Sequence, residues 1–236
     1  MRGIIFFILV LAASCSAQKP IHSETHTHIE INHGGELLLE INLNKGNAFN
    51  HPSYVVWLED VEGKLLETIF VTRSYATGKY ARAHKEGFVW EADSGISIRP
   101  ASMPYWKHKF IAQSSQESIP DAVTGATPKG NATITTHTQA QLSQFRVLVE
   151  VNQAWDCNSY WTTNKYPDNL EYRTSCQPSL IYAVTVNLDD DVDTYFLNPI
   201  GHGHYAGENG SLYTDLRGFT TALNIFETMS VTVKNK

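Results

Sequence analysis

What most narrows the folds open to this chain is a succession of short strand-like runs with turn-forming residues between them. No sustained 3.6-residue apolar period appears beyond the N-terminal leader. His28-Ile29-Glu30-Ile31 and Leu37-Leu38-Leu39-Glu40-Ile41-Asn42-Leu43 come first, and Gly34-Gly35 between them reads as a tight hairpin turn. Tyr54-Val55-Val56-Trp57-Leu58-Glu59 and Leu65-Leu66-Glu67-Thr68-Ile69-Phe70-Val71 form a second expected hairpin, turning at Glu62-Gly63. Thr133-Ile134-Thr135-Thr136-His137, the run from Phe145 to Val151, and residues 179–188 and 222–233 supply the rest, the last broken near Glu227. Residues 74–118 differ: Gly, Pro, His and aromatics dominate, including Trp90, Pro104, Tyr105, Trp106 and His108, with a short helical turn expected near 79–86. This pattern predicts an all-β fold, an antiparallel β-sandwich of one domain over residues 26–236, with a long loop excursion packed on the sheet. A hydrophobic fraction of 42% is enough to fill such a core.

Residues 1–15 follow the order of a secretory signal: basic Arg2, an apolar run over residues 4–13, then the small residues Ala12-Ala13-Ser14 before Cys15. The run is shorter than the roughly 20 residues a membrane-spanning helix needs. Cys15, with Leu11, Ala13 and Ser14 ahead of it, resembles the modified cysteine of a bacterial lipoprotein signal. The resemblance implies a periplasmic or cell-envelope protein held to a membrane by a lipid anchor, with residues 16–25 as linker. Cleavage after Ala17 would instead discard Cys15 with the leader. In either case Cys157 and Cys176 remain, and in an oxidising compartment they are expected to form one disulfide, worth roughly 3 kcal/mol through the unfolded chain. A thiolate metal pair would favour closer Cys-x-x-Cys spacing. The formal charge of −6 is thinly spread and argues against a nucleic-acid partner, which needs clustered Lys and Arg.

The sharpest local string is Asp121-Ala122-Val123-Thr124-Gly125-Ala126-Thr127. It resembles the acceptor motif of proteins carrying covalent flavin mononucleotide (FMN), in which a separate flavin transferase joins the flavin phosphate to the last threonine hydroxyl. That implies Thr127 as attachment residue, with Asp121, Thr124, Gly125 and Ala126 as what the transferase recognises. The flavin would bring its own redox chemistry, and the protein its position and electrostatics. In the familiar flavin-binding domains the motif leads into a helix, whereas here Pro128-Lys129-Gly130 leads into an apparent strand. Thr-Gly-Ala-Thr-Pro also reads as an ordinary loop between strands. More widely, residues 54–70, Pro104-Tyr105-Trp106, the 121–127 motif and residues 145–155 together look like a family of bacterial predicted periplasmic proteins of unknown function. Members of that family are sometimes encoded beside flavin transferases and membrane redox proteins. The resemblance implies a β-sandwich setting for the motif and those two classes of protein as partners.

Histidines form a second constellation. His26-Thr27-His28 and His202-Gly203-His204 each place two imidazoles at i and i+2, on one face if the chain is extended, and His22, His33 or His137 would be needed to complete a metal site. An exposed edge strand and a surface turn account for the same residues. Residues 201–221, which also hold Tyr205, Glu208, Tyr213, Asp215 and Arg217, have the make-up of a ligand-binding loop on a β scaffold, and a ligand- or metal-binding sandwich is the alternative to the flavin reading. Trp155, Tyr160, Trp161 and Tyr166 are expected to pack over the disulfide rather than to stack a sugar. Asp189-Asp190-Asp191 and Asp193 read as a solvated acidic turn. No nucleophile elbow, zinc-protease helix or phosphate-cradling loop is present, which favours a non-enzymatic module.

Overall fold

The computed structural model describes residues 25–81, 83, 85, 86, 89, 90, 93–116 and 118–235. The strands in chain order are β1 (His26–Asn32), β2 (Leu37–Lys45), β3 (Ser53–Glu59), β4 (Leu65–Thr72), β5 (Lys79–Tyr80), β6 (Lys85–Glu86), β7 (Val89–Trp90), β8 (Gly95–Ile96), β9 (Thr124–Gly125), β10 (Asn131–Thr138), β11 (Gln144–Asn152), β12 (Leu180–Asn187), β13 (Thr194–Phe196), β14 (Asn198–His202) and β15 (Phe226–Val233). Three α-helices accompany them among the described residues: α1 (Arg73–Thr77), α2 (Pro104–Ser114) and α3 (Leu170–Ser175). A five-stranded sheet, β1-β10-β2-β15-β13, faces a six-stranded sheet, β14-β12-β11-β3-β4-β9, giving the expected all-β sandwich.

Strand alternation builds the interior. Leu39, Ile41 and Leu43 of β2 and Ile134 of β10 point inward from the first sheet. Tyr54, Val56 and Leu58 of β3 and Val147, Val149 and Val151 of β11 point inward from the second. The central strands of the six-stranded sheet are buried on both faces, because the excursion lies over the outer one. There Val55, Trp57, Val71, Leu148 and Ile181 meet Met103, Tyr105, Trp106 and Phe110. Their sequences are therefore continuous apolar runs rather than alternating ones, as in any sheet covered twice.

The β3–β4 hairpin turns at Gly63, which takes φ +88°, and β15 shifts register between Phe226 and Thr228, at Glu227, both as expected. Three expectations need correction. β1 and β2 are not a hairpin: β1 runs parallel to β10, which lies between them. Gly34-Gly35 instead carries the chain across the end of β10, so close that a Cβ on Gly35 would sit 1.7 Å from the Thr138 carbonyl oxygen. The pairing is not wholly antiparallel either, since β1–β10 and β4–β9 are parallel at two sheet edges. Residues 79–86 hold β5 and β6 of a hairpin arm rather than a helical turn, and the excursion's helices are α1 and α2. Helix α2 starts at Pro104, whose fixed φ and missing N–H suit a first helical position. Its buried side chains, Pro104, Tyr105, Trp106 and Phe110, repeat at helical spacing only from Trp106 to Phe110, too short a stretch to mark the helix in the sequence.

Candidate functional site

Asp121–Val123 make a single 3-10 turn that delivers Thr124–Gly125 to the outer edge of the six-stranded sheet, beside Val71 and Thr72 of β4. The Thr124 hydroxyl lies 3.0 Å from both the Asp121 carbonyl oxygen and its carboxylate Oδ1, so motif positions 121 and 124 brace each other. Gly125 has a packing reason: a Cβ there would come within 2.5 Å of the Phe70 ring. Ala126 is exposed, and Thr127 is half-buried in irregular chain before β10. Among the described residues the Thr127 hydroxyl has no hydrogen-bond partner, and its backbone belongs to no sheet ladder.

The two histidine pairs lie on different sheets. His26 and His28 stand on edge strand β1 with ring centroids 4.5 Å apart, and the His26 Nε2 meets the Thr133 hydroxyl at 2.8 Å. His202 ends β14. Its backbone exchanges hydrogen bonds with Tyr213, closing residues 203–212 into a loop. The His202 ring stacks on Tyr213 at 5.3 Å, touches Trp161 and Phe219, and places Nδ1 2.8 Å from the Gly203 carbonyl. Burial holds this imidazole below its ordinary range, so it is neutral at pH 7. His204 Nδ1 accepts the backbone N–H groups of Ala206 and Glu208, at 3.2 and 3.3 Å. Among the described residues no three His, Cys, Asp or Glu side chains gather into a group able to hold a metal ion. β14 and the flavin-like motif occupy opposite edges of the six-stranded sheet, five strand spacings or roughly 24 Å apart.

The glycine of His202-Gly203-His204 leads to a fully buried carboxylate, Glu150. A Cβ on Gly203 would stand 2.6 Å from both Pro104 Cγ and Ser179 Oγ, and 3.1 Å from Glu150 Oε1. Glu150 is wholly buried on the outer face of β11. It accepts the backbone N–H of Trp106 at 2.8 Å, that of Tyr105 at 3.2 Å and the Ser179 hydroxyl at 2.6 Å. Burial pushes its pKa up to about 7, against the pull of Ser179, the two N–H groups and the more distant Lys109. Glu59, also fully buried, accepts from Trp57 Nε1 at 2.8 Å, Lys109 Nζ at 2.5 Å and Arg146 at 3.4 Å. Sequence reasoning passed over both residues. The available signal was a carboxylate set in an apolar run, Leu148-Val149-Glu150-Val151, where an unpartnered charge would be very costly. Their geometry is that of two clamps on helix α2, one at its N-terminus and one on Lys109.

Cys157 and Cys176 are joined, with Cα atoms 4.9 Å apart. Within the closed loop Tyr172 and Trp161 are buried and packed on each other, while the Tyr160 ring has Lys165 Nζ 3.2 Å from its centroid and lies close to Gly218. Packing therefore accounts for Trp161 and for Tyr166, which stacks on Tyr205 at 3.9 Å, whereas Trp155 and Tyr160 both stay half exposed. Replacing both cysteines with serine is expected to cost about 3 kcal/mol, the loop-closure value, as read by urea unfolding. A loss under about 1 kcal/mol would mean that the aromatic loop holds its form without the bond.

A cleft of about 740 Å³ opens between residues 34–37 and 138–141, and none of the candidate residues lines it. Cys15 lies outside the described residues, and among the described residues no helix is long and apolar enough to cross a membrane. Compared with known proteins, the chain matches no family model, no curated protein and no solved structure.

Proposed function

We propose that this chain is an exported, non-enzymatic module of a bacterial cell envelope that serves a flavin-based redox system and receives FMN covalently on Thr127. The observation that carries the reading is the presentation of the motif: the Thr127 hydroxyl, in irregular chain at a sheet edge, has no partner among the described residues. A hydroxyl locked in a ladder or buried in the core would be closed to a transferase. Exposed Ala126 and the small residues around it leave room for a large enzyme, and the Asp121–Thr124 brace gives that enzyme a fixed shape to read. In the transfer, the Thr127 oxygen becomes the bridging oxygen of a phosphoester. Its proton passes to the transferase's base and the donor's leaving group departs from phosphorus. The bound flavin would supply electron transfer, and this chain would hold it at the rim of a rigid sheet. The disulfide is compatible with an extracytoplasmic setting.

The test is intact mass and visible absorption of the protein co-expressed with an active flavin transferase. The expected result is one flavin phosphate per chain, lost completely in Thr127→Ala and retained at least in part in Thr127→Ser, which keeps a hydroxyl. An unmodified wild-type chain under those conditions would overturn the reading.

A further inference from the structure

The excursion begins with a hairpin arm that the sandwich does not need. β5 pairs with β8 through Lys79–Ile96 and Tyr80–Gly95, and β6 pairs with β7 through Lys85–Trp90 and Glu86–Val89. The Ala83 N–H bonds to the Asp93 carbonyl between the two pairs. At the base of this arm stand the two most exposed large apolar side chains among the described residues, Ile96 at 72% and Ile98 at 81%. Ile96 ends β8, and Ile98 follows two residues later. Neither takes part in either hydrophobic core.

Charge supplies the second observation. Residues 73–99 carry Arg73, Lys79, Arg82, Lys85 and Arg99 against Glu86, Glu91 and Asp93, a local cationic excess in a chain of net charge −6. Lys79 is directly opposite Ile96 in the ladder, and both Lys79 and Arg73 are exposed. Arg99 instead lies over the Tyr80 ring at 3.7 Å, fixing the arm's root. Exposed branched aliphatic side chains, one of them directly across the ladder from exposed Lys79, match a membrane interface. The apolar groups enter the headgroup boundary while the cations meet anionic lipid. An acidic protein would satisfy the cations, but it gives no account of two isoleucines standing clear of any groove.

We propose that the 79–98 arm is a membrane-surface contact that inserts Ile96 and Ile98 into the headgroup region of an anionic phospholipid bilayer, with Lys79 and Arg73 paired to lipid phosphates. Such a contact would orient the sandwich on the surface, beyond what a flexible tether achieves. It is independent of flavin at Thr127.

The test is co-sedimentation of the full chain with vesicles of phosphatidylcholine alone and of phosphatidylcholine with phosphatidylglycerol. Any contribution from an acylated cysteine is common to the two and cancels. Binding to the anionic vesicles is expected to be at least about ten-fold tighter and to weaken in high salt. In Ile96→Ser/Ile98→Ser it should fall about ten-fold, with the unfolding midpoint unchanged because both side chains are exposed. Lys79→Glu should remove the lipid-charge preference and leave the fold intact. Equal binding to both vesicle types, or anionic binding untouched by the isoleucine pair, would overturn the proposal. So would failure to bind either vesicle accompanied by saturable binding to polyglutamate, which would place an acidic protein on the arm.

Discussion

Glu150→Ala is expected to destabilise the protein by roughly 3–5 kcal/mol, the usual cost of breaking a buried polar network from one side. The side chain is fully buried, and its removal strands three donors together: the N–H groups of Tyr105 and Trp106 and the Ser179 hydroxyl. Pro104 and the backbone at Gly203 crowd the same carboxylate. The effect should be concentrated in the outer layer. The core between the sheets is built on other residues, such as Ile41, Leu58 and Val149, with Trp161 among them, whereas Trp57 and Trp106 sit in the layer that α2 covers. Urea unfolding read by tryptophan fluorescence and by far-ultraviolet circular dichroism should therefore lose coincidence in the variant, with the fluorescence transition moving to lower denaturant. A loss below about 1 kcal/mol with coincident transitions would show that apolar contact alone seats the helix.

The parts of this architecture visible in the sequence are those fixed by neighbours along the chain. The alternation of Leu39, Ile41 and Leu43 specifies one buried face, and Glu62-Gly63 specifies a turn. The continuous run Tyr54–Leu58 has the make-up of a strand covered on both faces, and the excursion is its outer cover. What the sequence hides is set by contacts between distant residues. Nothing in Gly34-Gly35 says that β10, a hundred residues later, will enter between β1 and β2. Helix α2 is legible only through its docking, since Pro104 starts it and the outer face of β3 and β11 holds it. The same limit applies to the candidate sites. The 121–127 string could be found by eye, but not the absence of a partner for the Thr127 hydroxyl. The spacing of His202 and His204 suggested a metal pair, whereas the glycine between them is required by Glu150, Ser179 and Pro104, all remote in sequence. Glu150 itself offered only the oddity of a carboxylate among valines.

That oddity has a pH signature distinct from the truncation. In the unfolded chain Glu150 titrates near the ordinary value of 4.5, and in the folded protein near 7. The folded state therefore holds the proton more tightly, so between those values it binds more protons than the unfolded state and stability falls as pH rises. The stability gained by the protonated form is fully present below about 4.5 and is lost as pH passes 7. The span corresponds to something on the order of 3 kcal/mol. Glu150→Gln cannot titrate. Its carbonyl still accepts one of the three donors, while its amide faces another, so it should be less stable than the wild type at pH 5. Its stability should change far less between pH 5 and 8, and the gap between the two proteins should narrow across that window. Paired urea titrations at pH 5, 6, 7 and 8 measure this directly. Parallel curves at all four pH values would mean that Glu150 keeps one protonation state throughout. Its three hydrogen-bond donors would then hold it as a carboxylate despite complete burial, leaving the Ala variant as the sole measure of the clamp.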